Sequence, residues 1–210
     1  KELDKVVEVL ELKQILNTDV SKISGGELQR VAIAATVLKK ANVYIFDEPT
    51  SFLDIKQRIK IAEFIKNLAN ETTSVMVVEH DLLVIDTMAD LIHLMYGKAA
   101  AYGVVSLVKN ARVGINTYLE GYIRDENMRF RDHEIKFSPR PPPKVQKTFE
   151  LTSWNDLNKK LGSFSLEAKE GALHKSLTVG VLGENGIGKT TFVKMLANVL
   201  KADSGEIARQ

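Results

Sequence analysis

The chain has 210 residues, enough for one or two domains with a core, and its Lys+Arg 29 against Asp+Glu 27 leave a net charge of +2. That excludes the global basic field that marks many nucleic-acid binders, and the absence of cysteine excludes disulfides and thiolate metal sites within the chain. No apolar run approaches the roughly 18–20 residues that cross a bilayer, and the charged start, without an initiator Met, has no signal-peptide pattern, so the expectation is a soluble cytoplasmic piece of a longer protein, not attached to a membrane.

Leu3, Val6, Val7, Leu10, Ile15 and Leu16 recur at helical spacing over residues 1–16, and Asn17-Thr18-Asp19 stops the helix. Ser24-Gly25-Gly26-Glu27-Leu28-Gln29-Arg30 leads into a second helix through the apolar run 31–38, with Ser24 as its N-cap. By itself this is either a capped, tight helix entry or a binding turn. Val43-Tyr44-Ile45-Phe46 is apolar without alternation, the pattern of a strand buried on both faces of a parallel sheet. It ends in Asp47-Glu48, at the carboxyl end of the strand, where open α/β sheets bind ligands. Such a pair is either a solvated acidic turn or a device for holding Mg2+ and orienting an attacking water. After Pro49, Ser51-Phe52-Leu53-Asp54 leads into a helix over 55–68, with a buried stripe expected at Ile55, Ile59, Ala62, Ile65 and Leu68 or Ala69. A second buried strand over 74–78 finishes at Glu79-His80-Asp81. His80 then shares a sheet end with the acidic pair, as a structural histidine or a sensor of the γ-phosphate. His93, His133 and His174, with His80, show no ligand spacing among them.

Taken together, these motifs resemble the second half of an ATP-binding cassette (ABC) domain. The resemblance makes Ser24, Gly25 and Gly26 the signature motif, Asp47 and Glu48 the Walker B pair with Glu48 catalytic, Asp54 the end of the D-loop, and His80 the switch histidine. Glu27 stands where Gln is commoner, and Phe52 where a small residue is usual.

Residues 91–96 read as a closing strand and residues 97–105 as its hairpin partner. A helix beginning near Val113 passes into a basic, irregular segment. From 124 to 147 there are seven Lys/Arg against four Asp/Glu, with Phe130 and Phe137 interspersed: a solvated hinge surface on charge alone. Pro139, Pro141, Pro142 and Pro143 read as a stiff polyproline-type linker. Residues 147–151 and 162–168 alternate like antiparallel strands, separated by residues 154–161. Trp154 is assigned to packing or surface. Phe164 is either a core residue or, by the ABC resemblance, an aromatic stacked on adenine.

The apolar run 177–182 then reads as a strand feeding Gly183-Glu184-Asn185-Gly186-Ile187-Gly188-Lys189-Thr190-Thr191. This matches the phosphate-binding P-loop G-x-x-x-x-G-K-[ST]. Its backbone N–H groups and the helix opening at Gly188 suit a polyphosphate, with Lys189 on the β- and γ-phosphates and Thr190 on Mg2+. The helix ends over 196–200, and Asp203-Ser204-Gly205-Glu206-Ile207 begins another turn and strand.

A P-loop that follows the signature reverses the order within one cassette. The expectation is a window across two tandem cassettes: residues 1–105 close the first, 106–146 form a hinge and 147–210 open the second, an α/β P-loop NTPase fold. The run Gly114-Ile115-Asn116 through Arg131 is similar to the first hinge of the ABC subfamily E ATPases, the ribosome-recycling factors also called RNase L inhibitor. That resemblance covers essentially the whole chain, although Glu184 and Asn198 stand where Pro and Gly are commoner. It implies ATP and Mg2+ as cofactors, with iron–sulfur clusters only in a domain upstream of this chain. It implies a monomer whose paired cassettes close on ATP and split ribosomes into subunits, acting also around initiation. Its partners would be a ribosomal subunit, termination or initiation factors and, through the hinge, ribosomal RNA. Two other readings stand beside it: an ATP-gated scaffold or inhibitor without turnover, and the motor subunit of an ABC transporter.

Overall fold

Val6, Val7 and Leu10 recur on one helical face and bury it, making α1 (Glu2–Val9) part of the first hydrophobic core. The computed structural model describes residues 2–136 and 150–209 and divides into two units, Lys1–Ser138 and Pro139–Gln210. The first helix stops well short of residue 16. Glu11 adopts a φ of 54°, a left-handed conformation that breaks the helix, and Lys13–Ile15 is a single 3-10 turn. α2 (Gly25–Val37) starts at the Ser24 cap and sends Ile33 and Ala34 into the same core.

β1 (Val43–Asp47), α3 (Ile55–Lys66) and β2 (Ser74–Val78) form a parallel βαβ unit, in register from Val43 opposite Ser74 to Asp47 opposite Val78. The expected burial on both faces is corrected here. Tyr44 and Phe46 are buried, but Ile45 is 64% and Met76 59% exposed, because the sheet has two strands and its core lies on one side. The stripe of α3 is corrected too: Ile61, Ala62 and Ile65 are buried, whereas Ile55 sits in the first turn and is exposed. α4 (Leu82–Met88) packs on α3 and buries Val84 and Met88.

The expected closing strand splits at His93-Leu94. β3 (Leu91–Ile92) pairs with β6 (Lys109–Asn110), while β4 (Met95–Lys98) forms the expected hairpin with β5 (Tyr102–Val105). His93 and Leu94 are held at the split by Ser106, whose carbonyl lies 2.9 Å from His93 Nδ1 and whose hydroxyl accepts from Leu94 N–H at 2.9 Å.

α5 (Ala111–Glu120) is capped by Asn110, which accepts from Val113 N–H at 2.9 Å, and ends at Gly121. Of the basic stretch beyond it, residues 122–129 are regular, while the described residues 130–136 carry no helix or strand. β7 (Tyr122–Ile123) and β8 (Met128–Arg129) pair as a small hairpin. The Arg131 guanidinium donates to the carbonyls of Tyr118 and Leu119 and lies over the Tyr118 ring. The Asp125 carboxylate meets Lys109 at 2.7 Å, and Glu126 accepts from Tyr96 hydroxyl at 2.9 Å and Leu107 N–H at 2.8 Å. These contacts fasten residues 120–131 to the hairpin region. The proline linker, Phe137 and residues 147–149 lie outside the described residues.

In the second unit β9 (Glu150–Leu161) is the spine, and β10 (Phe164–Ala168) and β11 (Gly171–His174) pair antiparallel with it. α6 (Lys189–Leu196) follows, and β12 (Ser204–Arg209) completes the antiparallel sheet. Residues 154–161, expected to separate two strands, are themselves strand; the reversal comes at Gly162-Ser163, where Gly162 has a φ of 61°. Leu157 of β9 and Met195 of α6 are fully buried, and Trp154 meets Phe192 edge-on at 5.2 Å between ring centres, a packing role as expected. Residues 177–182 are not a strand, and Leu182 is 96% exposed. A strand needs a neighbour for its backbone donors and acceptors, and the described residues supply none here.

Candidate nucleotide site

Ser24 opens α2 with a closed capping box. Its hydroxyl oxygen accepts from Glu27 N–H at 3.3 Å, and Glu27 Oε2 accepts from Ser24 N–H and from the Ser24 hydroxyl, both at 2.7 Å. The Ser24 hydroxyl and then its N–H hold the Glu27 carboxyl below the usual carboxylate range. Glu27 therefore serves as the capping partner of Ser24. Gly25 lies against the Phe52 ring, and Gln29 Nε2 donates to Glu48 C=O at 3.2 Å. The start of α2, the 51–54 loop and the end of β1 are thereby joined within the first unit.

Asp47 is the last residue of β1 and is exposed. Glu48 takes a φ of 47°, sparsely populated for a side-chain-bearing residue, and its N–H bonds Val78 C=O at 2.9 Å. Its carboxylate accepts from Ser51 hydroxyl at 3.1 Å and faces His80 Nδ1 at 3.7 Å. Both side chains are largely open to solvent. Sequence reasoning put these two at one sheet end, and the parallel register brings them face to face. Asp54 caps α3, accepting from Gln57 N–H at 3.0 Å. Arg58 donates from Nε to Leu53 C=O at 2.9 Å and from Nη1 to Asp81 at 2.7 Å, which ties the loop before α3 to the cap of α4.

Sequence reasoning passed over Thr50 and Glu79. Thr50 is 2% exposed and gives both its N–H and its hydroxyl to Glu79 Oε1, while Glu79 Oε2 accepts from His80 N–H. A carboxylate directly before a histidine at a strand end was the signal available for it.

In the second unit, residues 183–188 wrap ahead of α6, and Gly188 is the N-cap with a φ of 95° and no side-chain capping bond. A Cβ at Gly188 would lie 2.7 Å from Phe164 Cζ, so glycine is required twice over. Phe164 is thus placed beside the loop, with its ring on the backbone that precedes Lys189. Lys189 Nζ donates to Gly183 C=O at 2.8 Å and Glu184 C=O at 2.5 Å, curling back over the loop that carries Gly183, Asn185 and Gly186. Thr190 and Thr191 occupy the first turn of α6 behind it. Among the described residues no group of three His, Cys, Asp or Glu is placed to hold a metal ion. A Mg2+ at Thr190 or Asp47 would draw its remaining ligands from phosphate and water, the usual arrangement for this ion, and the hard oxygen donors of both residues fit it.

A glycine loop at a helix start, a parallel βαβ edge carrying Asp47, Glu48 and His80, and an antiparallel subdomain define an α/β P-loop NTPase of ATP-binding-cassette type. The family described as ABC transporter matches residues 1–51 and 166–210. An uncharacterised ABC transporter ATP-binding protein of Methanocaldococcus jannaschii is 51% identical over 207 residues, covering 99% of this chain and 34% of that protein. Translation initiation factor RLI1 of Chaetomium thermophilum is 44% identical over 203 residues, 96% of this chain and 33% of that one. A solved structure, a model of ribosome-bound archaeal Pelota and ABCE1, superposes with a TM-score of 0.87 at 49% identity, over 97% of this chain and 34% of that one. The chain belongs to the E subfamily of the ATP-binding cassette ATPases. It spans about a third of the length of the curated relatives it matches.

Proposed function

We propose that this chain is the central part of a cytoplasmic, monomeric twin-cassette ATPase that splits ribosomes into subunits for recycling and supports translation initiation. Residues 1–105 close the first cassette, 106–146 are the hinge and 147–210 open the second. Glu48 facing His80 at 3.7 Å, at the ends of two parallel strands, is the observation that carries the reading of turnover. A scaffold that only binds has no use for a carboxylate able to orient water beside a histidine able to sense the departing phosphate. The ribosomal part draws support from the relatives, one called a translation initiation factor and one solved on the ribosome with Pelota.

Gly183, Asn185, Gly186, Gly188, Lys189, Thr190 and Thr191 would bind the ATP phosphates, with Phe164 beside the adenine. Thr190 would hold Mg2+ in the second cassette and Asp47 in the first, and the ion would supply positive charge against the phosphates. Gly25 and Gly26, in the helix turn that Ser24 caps, would turn the N-terminus of α2 toward a γ-phosphate, with Asp54 supporting the loop next to them. Closure is then favoured while the γ-phosphate is present and lost after hydrolysis, a population shift driven by differential contacts. The hinge carries that motion to a ribosomal subunit and its factors, and would be the part of the chain that meets ribosomal RNA.

In the full-length protein, Lys189→Ala should abolish ATP binding at the second cassette's loop. Glu48→Gln should retain binding and lower turnover at its own site by about 100-fold or more. Phosphate release, nucleotide binding and subunit profiles on sucrose gradients measure these outcomes. Unchanged ATP binding in Lys189→Ala removes the P-loop assignment, and wild-type phosphate release without any subunit separation removes the ribosomal one.

A further inference from the structure

Glu79 stands between the two loops that carry Glu48 and His80, and its carboxylate is divided between them. Oε1 accepts from Thr50 N–H at 3.2 Å and from the Thr50 hydroxyl, and Oε2 accepts from His80 N–H at 3.1 Å. Thr50 is 2% exposed, so its two donors are cut off from water and need an acceptor in place. Thr50 belongs to the turn that follows Glu48, where Ser51 N–H returns to Glu48 C=O at 3.2 Å. One planar group therefore sets the spacing between a turn that aims Glu48 and a backbone that aims His80.

We propose that Glu79 is a positioning residue for hydrolysis at the Glu48 site. It holds the Glu48 turn through Thr50 and holds His80 through the peptide N–H between them. The proposal rests on the reading of Glu48 and His80 as the hydrolytic pair. A carboxylate is needed because both oxygens accept; an amide presents one oxygen and turns an NH2 donor toward the other side. Glu79→Gln can keep the Thr50 bonds, but then sets a donor against His80 N–H. Thr50→Val removes the hydroxyl bond and leaves the His80 side in place.

The test is steady-state ATP hydrolysis by the full-length protein carrying Glu79→Gln, His80→Ala or both. Glu79→Gln should lower kcat at the Glu48 site about 10-fold, the scale of a small misplacement of reacting groups, with KM for ATP changed less than about 2-fold. The double variant should be no slower than His80→Ala alone. Losses that multiply, a wild-type kcat, or a rise in KM equal to the fall in kcat would each overturn the proposal. If Glu79→Gln does not fold, Thr50→Val serves in its place. Its loss of kcat should disappear in a Glu48→Gln background, and a further loss there counts against the idea. Amide hydrogen exchange at His80 separates this inference from the functional reading. If the wild-type protein hydrolyses no ATP, the functional reading fails. The positioning role still stands or falls on whether His80 N–H exchanges slowly in the wild type and fast in Glu79→Gln.

Discussion

Asp81 shows opposing effects on a single carboxyl. Burial raises its pKa, while the Arg58 guanidinium and the N–H groups of Leu83 and Val84 lower it, and the net direction is down. A carboxyl whose pKa is lower in the folded state contributes stability that is fully present above the unfolded value, about 3.9. That contribution is lost as pH falls through the folded value. Asp81→Asn should therefore cost roughly 1–2 kcal/mol at pH 7, the low end for a charge-assisted hydrogen bond because the pair is partly solvated. The cost should shrink toward zero near pH 2. Urea denaturation at the two pH values measures it, and an equal cost at both would remove the charged pair as the cause.

At the scale of elements, the seat of α5 on β3 is set by Gly114. A Cβ there would lie 2.9 Å from Ile92 Cβ and 3.1 Å from its Cγ2. Replacing a mid-helix glycine by alanine gains about 1 kcal/mol in helix propensity. Overpacking against a β-branched side chain, which has few rotamers to retreat into, costs about 1–3 kcal/mol. Valine keeps less of the propensity gain and adds two methyl groups to the clash. Gly114→Val should destabilise the first unit by about 2 kcal/mol, read from a lower urea midpoint with an unchanged slope. A neutral or stabilising result would mean that α5 is free to lift from β3. Residues 120–131 are fastened nearby despite their basic composition: Lys109–Asp125, the two Glu126 bonds and the Arg131 cap each give a local partner to a charge.

Across the whole molecule, apolar surface is left uncovered in both units. Ile45 and Met76 stand on the open face of the β1–β2 pair, and Val179, Val181 and Leu182 are exposed ahead of the P-loop. Exposed apolar patches of this kind mark surfaces that are covered in the working state, or that promote association. The isolated chain should bind an anilinonaphthalene dye and self-associate at tens of micromolar. Ile45→Thr with Met76→Thr should reduce both without lowering the melting temperature. Light scattering and dye fluorescence report the outcome, and a dye-silent monomer would show that the faces are covered within the chain itself.

Read alone, the sequence determined the parts whose chemistry is local. The P-loop follows from glycines placed ahead of Lys189 and Thr190, the start of α2 from Ser24 with Glu27 three residues on, and β1 and β2 from β-branched and aromatic runs ending in acids and histidine. Periodicity was also enough for α1 and α3 to be recognised as helices. Tertiary structure alone decided which face of each element is covered, because burial depends on neighbours and not on pattern. Ile45 and Met76 are apolar yet exposed, and residues 177–182 have strand composition but no strand beside them. Residues 154–161 are polar enough to resemble a loop, yet three antiparallel partners hold them in the longest strand. The link from Thr50 through Glu79 to His80 joins residues far apart in the chain, and it exists only because β1 and β2 run parallel in one register.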